Sequence, residues 1–210
     1  MVAQPGLISF ELELINASAK GDAEAFNRLV LAYQLQVYNV AYRMLSNRED
    51  AADATQDAFV SAFRNIHTFR GGSFKAWLLK IATNACYDRL RSRKRRPVVS
   101  LDSTTEEDDP HAAGRIDPPD PSIGPETLVL KREVLAQIQE GLNALPADQR
   151  LVVILSDVQG YAYEEIAEIT GANLGTVKSR LSRGRTSLRD FLRRTELLPT
   201  KYRHELGNRE

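Results

Sequence analysis

The chain has 210 residues and a mass of 23.5 kDa, room for one or two domains with cores of their own. Hydrophobic residues make up 42% and charged residues 27%, which excludes a collagenous, coiled-coil or wholly disordered chain, and a lone Cys86 with three scattered histidines offers neither a disulfide nor zinc-ligand spacing. No apolar run approaches the roughly 20 residues that span a bilayer and no secretory leader pattern is present, so the expectation is a cytoplasmic protein without membrane insertion.

A formal net charge of zero conceals a sorting of charges along the chain. Residues 1–96 carry 14 Lys and Arg against 9 Asp and Glu, residues 97–130 carry 1 against 8, and residues 131–210 carry 13 against 11. Two basic bodies therefore flank an acidic strap, and basic bodies point toward nucleic acid.

In the first body, Phe26, Val30, Tyr33, Val37, Val40 and Met44 recur at spacings of four and three, the stripe of a helix opened by Asp22 as N-cap and ended at Ser46-Asn47. Asn47 then caps a further helix, with Asp50 three residues on in the pattern of a capping box and Phe59, Ala62, Phe63 and Ile66 as its buried face. Phe69-Arg70-Gly71-Gly72-Ser73 is turn chemistry. The helix after it is marked by Phe74, Trp77, Leu78, Ile81 and Ala85, and runs out into Arg89, Arg91, Arg93, Lys94, Arg95 and Arg96. Trp77 and Cys86 read as core residues of that helix.

From Val98 to Pro125 the chain is rich in proline and acid, including Glu106-Glu107-Asp108-Asp109, and reads as an extended linker. The expected organisation is a domain over 1–96, a linker over 97–125, a second domain over 126–194 and a tail over 195–210. In the second domain Leu128, Leu135, Ile138, Leu142 and Leu145 make a helix ended by Pro146; Leu151, Ile154 and Leu155 make the next, broken at Gly160. A short helix near Tyr163–Ile169, a turn at Gly171-Ala172-Asn173 and a long helix over Leu174–Arg194 form a helix-turn-helix. The predicted fold class is all-α: two small helical domains joined by a flexible acidic linker.

The long last helix has two faces. Val177, Leu181, Leu188 and Leu192 form a docking stripe, with Gly184 allowing close approach. Thr176, Lys178, Ser179, Ser182, Arg183 and Thr186 lie opposite, and the helix holds seven Lys and Arg against one acid, Asp190. Such a face suits the DNA major groove, where Arg and Lys read guanine edges and Ser or Thr bonds bases or phosphates. In the first domain Asp50, Asp53, Gln56 and Asp57 share one helix face, which by itself reads as a solvated acidic face near a helix N-terminus and is also placed to meet basic residues of a partner. The Arg70–Ser73 loop and Asn84 together suit the enclosure of an extruded base, and the Arg89–Arg96 run suits phosphates. No nucleophile–His–acid set, phosphate loop or metal motif occurs, and His67, His111 and His204 fall in loop, linker and tail, so no catalysis, cofactor or metal is expected.

Leu145-Pro146, Arg150, Leu155, Gly160, Tyr163-Glu164-Glu165-Ile166-Ala167, Gly171 and Gly175-Thr176-Val177-Lys178-Ser179-Arg180-Leu181 closely resemble the −35 reading domain of extracytoplasmic-function (ECF) sigma factors. Asp53-Ala54-Thr55-Gln56-Asp57-Ala58-Phe59 resembles the segment with which that family grips the β′ clamp helices of RNA polymerase. Phe69 to Phe74, Trp77-Leu78, Ile81-Ala82, Asn84, Asp88 and Arg91 resemble its promoter-melting and −10 reading segment, with a loop one residue shorter than the commonest pattern. The resemblance covers about 21–96 and 131–193. It implies a sigma subunit that brings core polymerase to −35 and −10 elements and helps open the promoter. It further implies −35 contacts from Thr176, Lys178, Ser179, Ser182 and Arg183, and −10 contacts from Arg70, Gly72, Ser73, Asn84, Asp88, Arg91 and Arg95. Polymerase contacts fall to Asp50, Asp53, Gln56 and Asp57, the linker passes through the polymerase cleft toward the RNA exit path, and an anti-sigma inhibitor is a common partner. The competing reading is a self-sufficient helix-turn-helix regulator, for which no dimerisation helix is evident.

Overall fold

The computed structural model describes residues 5–95 and 125–195. Arg96, the linker before Pro125 and the tail beyond Thr195 lie outside the described residues. Among the described residues every regular element is helical: α1 (Pro5–Ala19), α2 (Ala23–Leu45), α3 (Arg48–Asn65), a single 3-10 turn (Ile66–Thr68), α4 (Phe74–Arg95), α5 (Pro125–Ala144), α6 (Ala147–Val153) continued by a π-helical segment (Ile154–Val158), α7 (Tyr163–Thr170) and α8 (Leu174–Arg194). They divide into two compact units, one carrying α1–α4 and the other α5, α6, the body of α7 and α8.

The bounds of α2 and the start of α3 follow from Asp22, Ser46 and Asn47. The Asp22 carboxylate accepts the N–H groups of Glu24 and Ala25 at 2.9 and 3.0 Å, opening α2. Ser46 closes it in the left-handed region, and Asn47 Oδ1 accepts the Asp50 N–H at 2.8 Å to open α3. Asp50 does not complete the expected capping box. Its carboxylate turns to Arg89 and Arg93 of α4, because a guanidinium is a stronger partner than a neutral backbone N–H.

In the first unit α2, α3 and α4 pack against one another and α1 lies along α2. The seam of α3 is a row of buried alanines, Ala51, Ala54, Ala58 and Ala62, whose small side chains let α2 and α4 come close; the buried residues of those two helices include Val37, Val40, Met44, Leu78, Leu79 and Cys86. Leu29, rather than Val30 of the expected stripe, is the buried residue of that turn of α2, and Phe63 is 38% exposed, its ring 4.9 Å from Phe26. Phe74 is fully enclosed by Tyr33, Phe69 and Trp77, with ring centroids 5.6–5.7 Å apart, so Trp77 is a structural residue. Helix α1 was not expected. Its run Phe10-Glu11-Leu12-Glu13-Leu14 alternates instead of striping, yet Ile15 is buried and Tyr33 of α2 donates its hydroxyl to Glu11.

In the second unit α8 packs on α5 and α6. Leu142, Leu145, the run Leu151–Leu155, Ile166, Val177 and Leu181 are buried. Pro125 occupies the first position of α5, where its fixed φ and missing N–H cost nothing. At the other end of α5 the buried Arg150 donates to the carbonyls of Asn143 (2.7 Å) and Leu145 (3.3 Å), serving acceptors that a helix end leaves unpaired. A Cβ on Gly184 would stand 2.7 Å from Val153 Cγ2 and 3.3 Å from the Gln149 carbonyl, so this position of α8 needs glycine for contact with α6.

Candidate functional site

Helix α8 starts where Asn173 Oδ1 accepts the Thr176 N–H at 2.8 Å. Val177, Leu181 and Gly184 face inward and are buried; Leu188 and Leu192 are half-buried. Lys178, Ser179, Ser182, Arg183 and Thr186 are exposed on the outside, whereas Thr176 is half-buried. Along that outer face the Arg183 guanidinium donates to Ser179 O (3.2 Å) and Oγ (3.3 Å), and Ser179 Oγ donates to Thr176 O at 3.0 Å. Two other arginines of α8 point elsewhere. Arg180 pairs with Asp148 at 3.0 Å, and Arg185 pairs with Asp157, whose hydrogen bond raises the guanidinium's proton affinity. In the first three turns of α8, Lys178 and Arg183 are therefore the exposed cations that no acid of this unit's described residues engages.

On the first unit the structure brings together two groups that sequence reasoning had assigned to different surfaces. Arg89 of α4 lies 3.6 Å from Asp50, 3.2 Å from Asp53 and 2.7 Å from Asp57 of α3. Arg93 pairs with Asp50 and also donates to the Leu45 carbonyl at 3.0 Å. The Arg89 side chain is 25% exposed, against 62% for Asp53 and 65% for Asp57, so the carboxylates remain at the surface while the guanidinium sits behind them. The expected phosphate-contacting run thus loses Arg89 and Arg93 to α3 and α2. Arg91, paired with Asp88 at 3.5 Å, and Arg95 stay exposed. Gln56 is exposed beside the acids. An alternation of acids on one helix and arginines on another carries no signal of contact in sequence, which is why this pairing was missed.

The loop before α4 holds Gly71 and Gly72 at φ of +91° and +89°, conformations that residues with a Cβ rarely adopt. Ser73 Oγ accepts the Ala76 N–H at 3.1 Å and caps α4, and Arg70 is exposed. Asn84 is exposed eleven residues further along α4, and the helical rise separates it from Ser73 by roughly 16 Å. Loop and Asn84 therefore do not converge on a single base in this structure. Asn84 instead lines an open groove between α3 and α4, with Ala58, Ile81 and Ala85 as apolar lining and Asp57, Asp88 and Arg89 as charged lining.

Cys86 is fully buried on α4, and desolvation pushes its thiol up to about 12, the property of a packing residue. Among the described residues no group of three or more His, Cys, Asp or Glu is arranged to hold a metal ion, and no helix is long and apolar enough to cross a membrane.

Among the described residues the chain is thus two all-helical units, one with an acidic face and a basic helix end and the other with a helix-turn-helix whose outer face is basic. Residues 29–96 match the Sigma-70 region 2 family and residues 135–188 match Sigma-70, region 4. The chain is 37% identical over 177 residues to the ECF RNA polymerase sigma factor SigE of Mycolicibacterium smegmatis, covering 83% of this chain and 65% of that protein. It is 35% identical over 176 residues to the ECF RNA polymerase sigma-E factor of Escherichia coli, covering 83% of this chain and 90% of that one. The sigma factor RpoE of Bartonella quintana, solved in complex with the anti-sigma factor NepR, superposes with a TM-score of 0.58 at 30% identity, over 81% of this chain and 98% of that one. The chain belongs to the ECF sigma factors.

Proposed function

We propose that this chain is a dissociable sigma subunit that directs core RNA polymerase to promoters with −35 and −10 elements and assists their opening, acting in the cytoplasm and contributing binding energy, with no catalysis of its own. The observation that carries the reading is the presence in one chain, in order, of regions 2 and 4. A stand-alone regulator would have no use for region 2.

In this reading α8 enters the major groove of the −35 element. Lys178 and Arg183 supply base-edge or phosphate contacts, and Thr176, Ser179 and Ser182 add hydroxyl contacts. The exposed face of α3, with Asp50, Asp53, Gln56 and Asp57, meets cationic side chains of the β′ clamp helices. Along α4, Asn84 accepts a base in its groove, while Arg70, Gly72 and Ser73 at one end and Asp88, Arg91 and Arg95 at the other follow the strand. The linker over 97–125 follows the polymerase cleft toward the RNA exit path. Because a relative of similar fold is solved with an anti-sigma factor, an inhibitor of that class is the proposed regulator of this chain too.

The test is reconstitution. Purified chain added to core polymerase should produce run-off transcripts from a template with both elements, and the products should fall when either element is scrambled. Tight dimeric binding to promoter duplex without polymerase, and no transcript with it, would establish the regulator instead.

A further inference from the structure

Three carboxylates, Asp50, Asp53 and Asp57, stand within two turns of α3, and like charges at these spacings repel. Arg89 offsets that repulsion in a particular way. One guanidinium nitrogen lies 3.2 Å from Asp53 Oδ2 and 3.6 Å from Asp50 Oδ1, and the other lies 2.7 Å from Asp57 Oδ2. A planar fork can hold two carboxylates at a fixed separation, which the point charge of a lysine cannot do. With Arg93 on Asp50, the five side chains sum to one negative charge, so the face is a built arrangement more than a highly charged patch.

We propose that Arg89 is a positioning residue for polymerase binding: it holds Asp53 and Asp57 on the outer face of α3 in the geometry that a partner's cations meet. The inference rests on the reading that this face of α3 grips polymerase. Both carboxylates are more than half exposed and each engages Arg89 through one oxygen, so a second cation can approach from outside without displacing the first. Holding the two side chains before the encounter removes rotamer freedom that binding would otherwise have to restrict. In this role Arg89 acts on polymerase through the two carboxylates, while its own guanidinium stands behind them and lines the groove of Asn84.

Removing a positive charge from an acidic face that works by charge alone should tighten its grip on a cationic partner. If Arg89 positions the acids, the same change should loosen it. The full chain carrying Arg89→Gln, Arg89→Lys, Asp53→Asn, Asp57→Asn or Arg89→Gln with Asp57→Asn is titrated with core RNA polymerase, and helical content is followed by circular dichroism. Expected are a roughly tenfold weaker complex for Arg89→Gln, incomplete recovery with Arg89→Lys, and a double variant little weaker than Asp57→Asn alone, since the two act as a unit. Equal or tighter binding by Arg89→Gln would overturn the proposal. So would a loss confined to DNA affinity with a shallower salt dependence, which would mark Arg89 as a phosphate contact. If Arg89→Gln does not fold, the folded Arg89→Lys decides: parental affinity refutes the need for the fork. If Asp53→Asn and Asp57→Asn both bind core like the parent, it is the polymerase reading of α3 that fails.

Discussion

The Arg89 guanidinium lies 2.7 Å from the Asp57 carboxylate, tying the basic end of α4 to the acidic face of α3. Reversing Asp53 and Asp57 to lysine therefore does two things. It presents the wrong charge to polymerase, and it sets two cations against Arg89. Weakened core binding is expected together with a lowered Tm. Asp57→Asn separates these effects: an ion pair this exposed contributes at most about 1 kcal/mol, so the Tm of this unit should fall by no more than about 8 °C while core affinity falls. Thermal unfolding and a core titration on the same samples check both.

Arg183 is held along α8 by two hydrogen bonds to Ser179, ready to reach outward. Arg183→Ala should cost about 1–3 kcal/mol of −35 duplex affinity if it reads a base edge, with discrimination relaxed at one position of the element. A loss uniform over all sequences, with the salt slope reduced by about one, would assign it to phosphate. Competition binding against single-position variants of the duplex distinguishes the two.

The parts of this molecule written in local sequence were legible: the caps at Asp22 and Asn47 stand where the sequence places them. So were the two faces of α8, because a 21-residue helix repeats its period often enough to be read. What escaped depended on contacts between helices. The close seam of α3 runs through alanines, which carry almost no hydrophobic contrast, so the period picks out Phe59, Ala62 and Ile66, which are buried, but adds the exposed Phe63 and omits Ala51, Ala54 and Ala58. The partners of Asp50 are 39 and 43 residues away on α4, beyond any local rule. In α1 the apolar residues alternate with acids, so burial of Ile15 against α2 decides the helix where the period does not.

Gly184 offers a test of packing in which propensity and contact oppose each other. Alanine in a helix interior normally gains up to about 1 kcal/mol over glycine. Here its Cβ would meet Val153 at 2.7 Å and the Gln149 backbone at 3.3 Å, and the latter cannot yield without moving α6. Gly184→Ala should lose about 1–3 kcal/mol of stability. Denaturant unfolding gives the sign, and a stabilised variant would mean that α6 and α8 separate freely.

Cys86 sets an expectation for alkaline conditions. Burial raises its pKa from 9.0 to about 12, so the folded protein keeps the thiol protonated where the unfolded chain ionises. Its contribution to stability is complete below about pH 9 and is lost as pH rises from there toward 12. Cys86→Ala should therefore flatten the decline of stability over that window, and at neutral pH Cys86 should react with a thiol reagent only as fast as the unit opens. Rapid stoichiometric labelling of the native protein would contradict its burial.

Arg70 and Asn84 test how the −10 strand is held. Had the Arg70–Ser73 loop and Asn84 formed one base pocket, substitutions in the two would share a partner and their effects would be coupled. Helix α4 instead places Asn84 roughly 16 Å from Ser73, in a groove whose other wall is α3. Two contact points that far apart act on different nucleotides of the strand. Arg70→Ala and Asn84→Ala should each weaken binding of single-stranded −10 DNA to the polymerase complex while leaving −35 duplex affinity unchanged. Their double variant should lose the sum to within about 0.5 kcal/mol, the tolerance for sites without common partners. An interaction energy of about 1 kcal/mol or more would show that the glycine pair lets the loop fold over Asn84 when DNA binds, restoring the single pocket. Bubble formation, followed by fluorescence of a base analogue at −10, should slow in Asn84→Ala even with saturating polymerase complex, because a groove that accepts a base acts only after that base has left the stack.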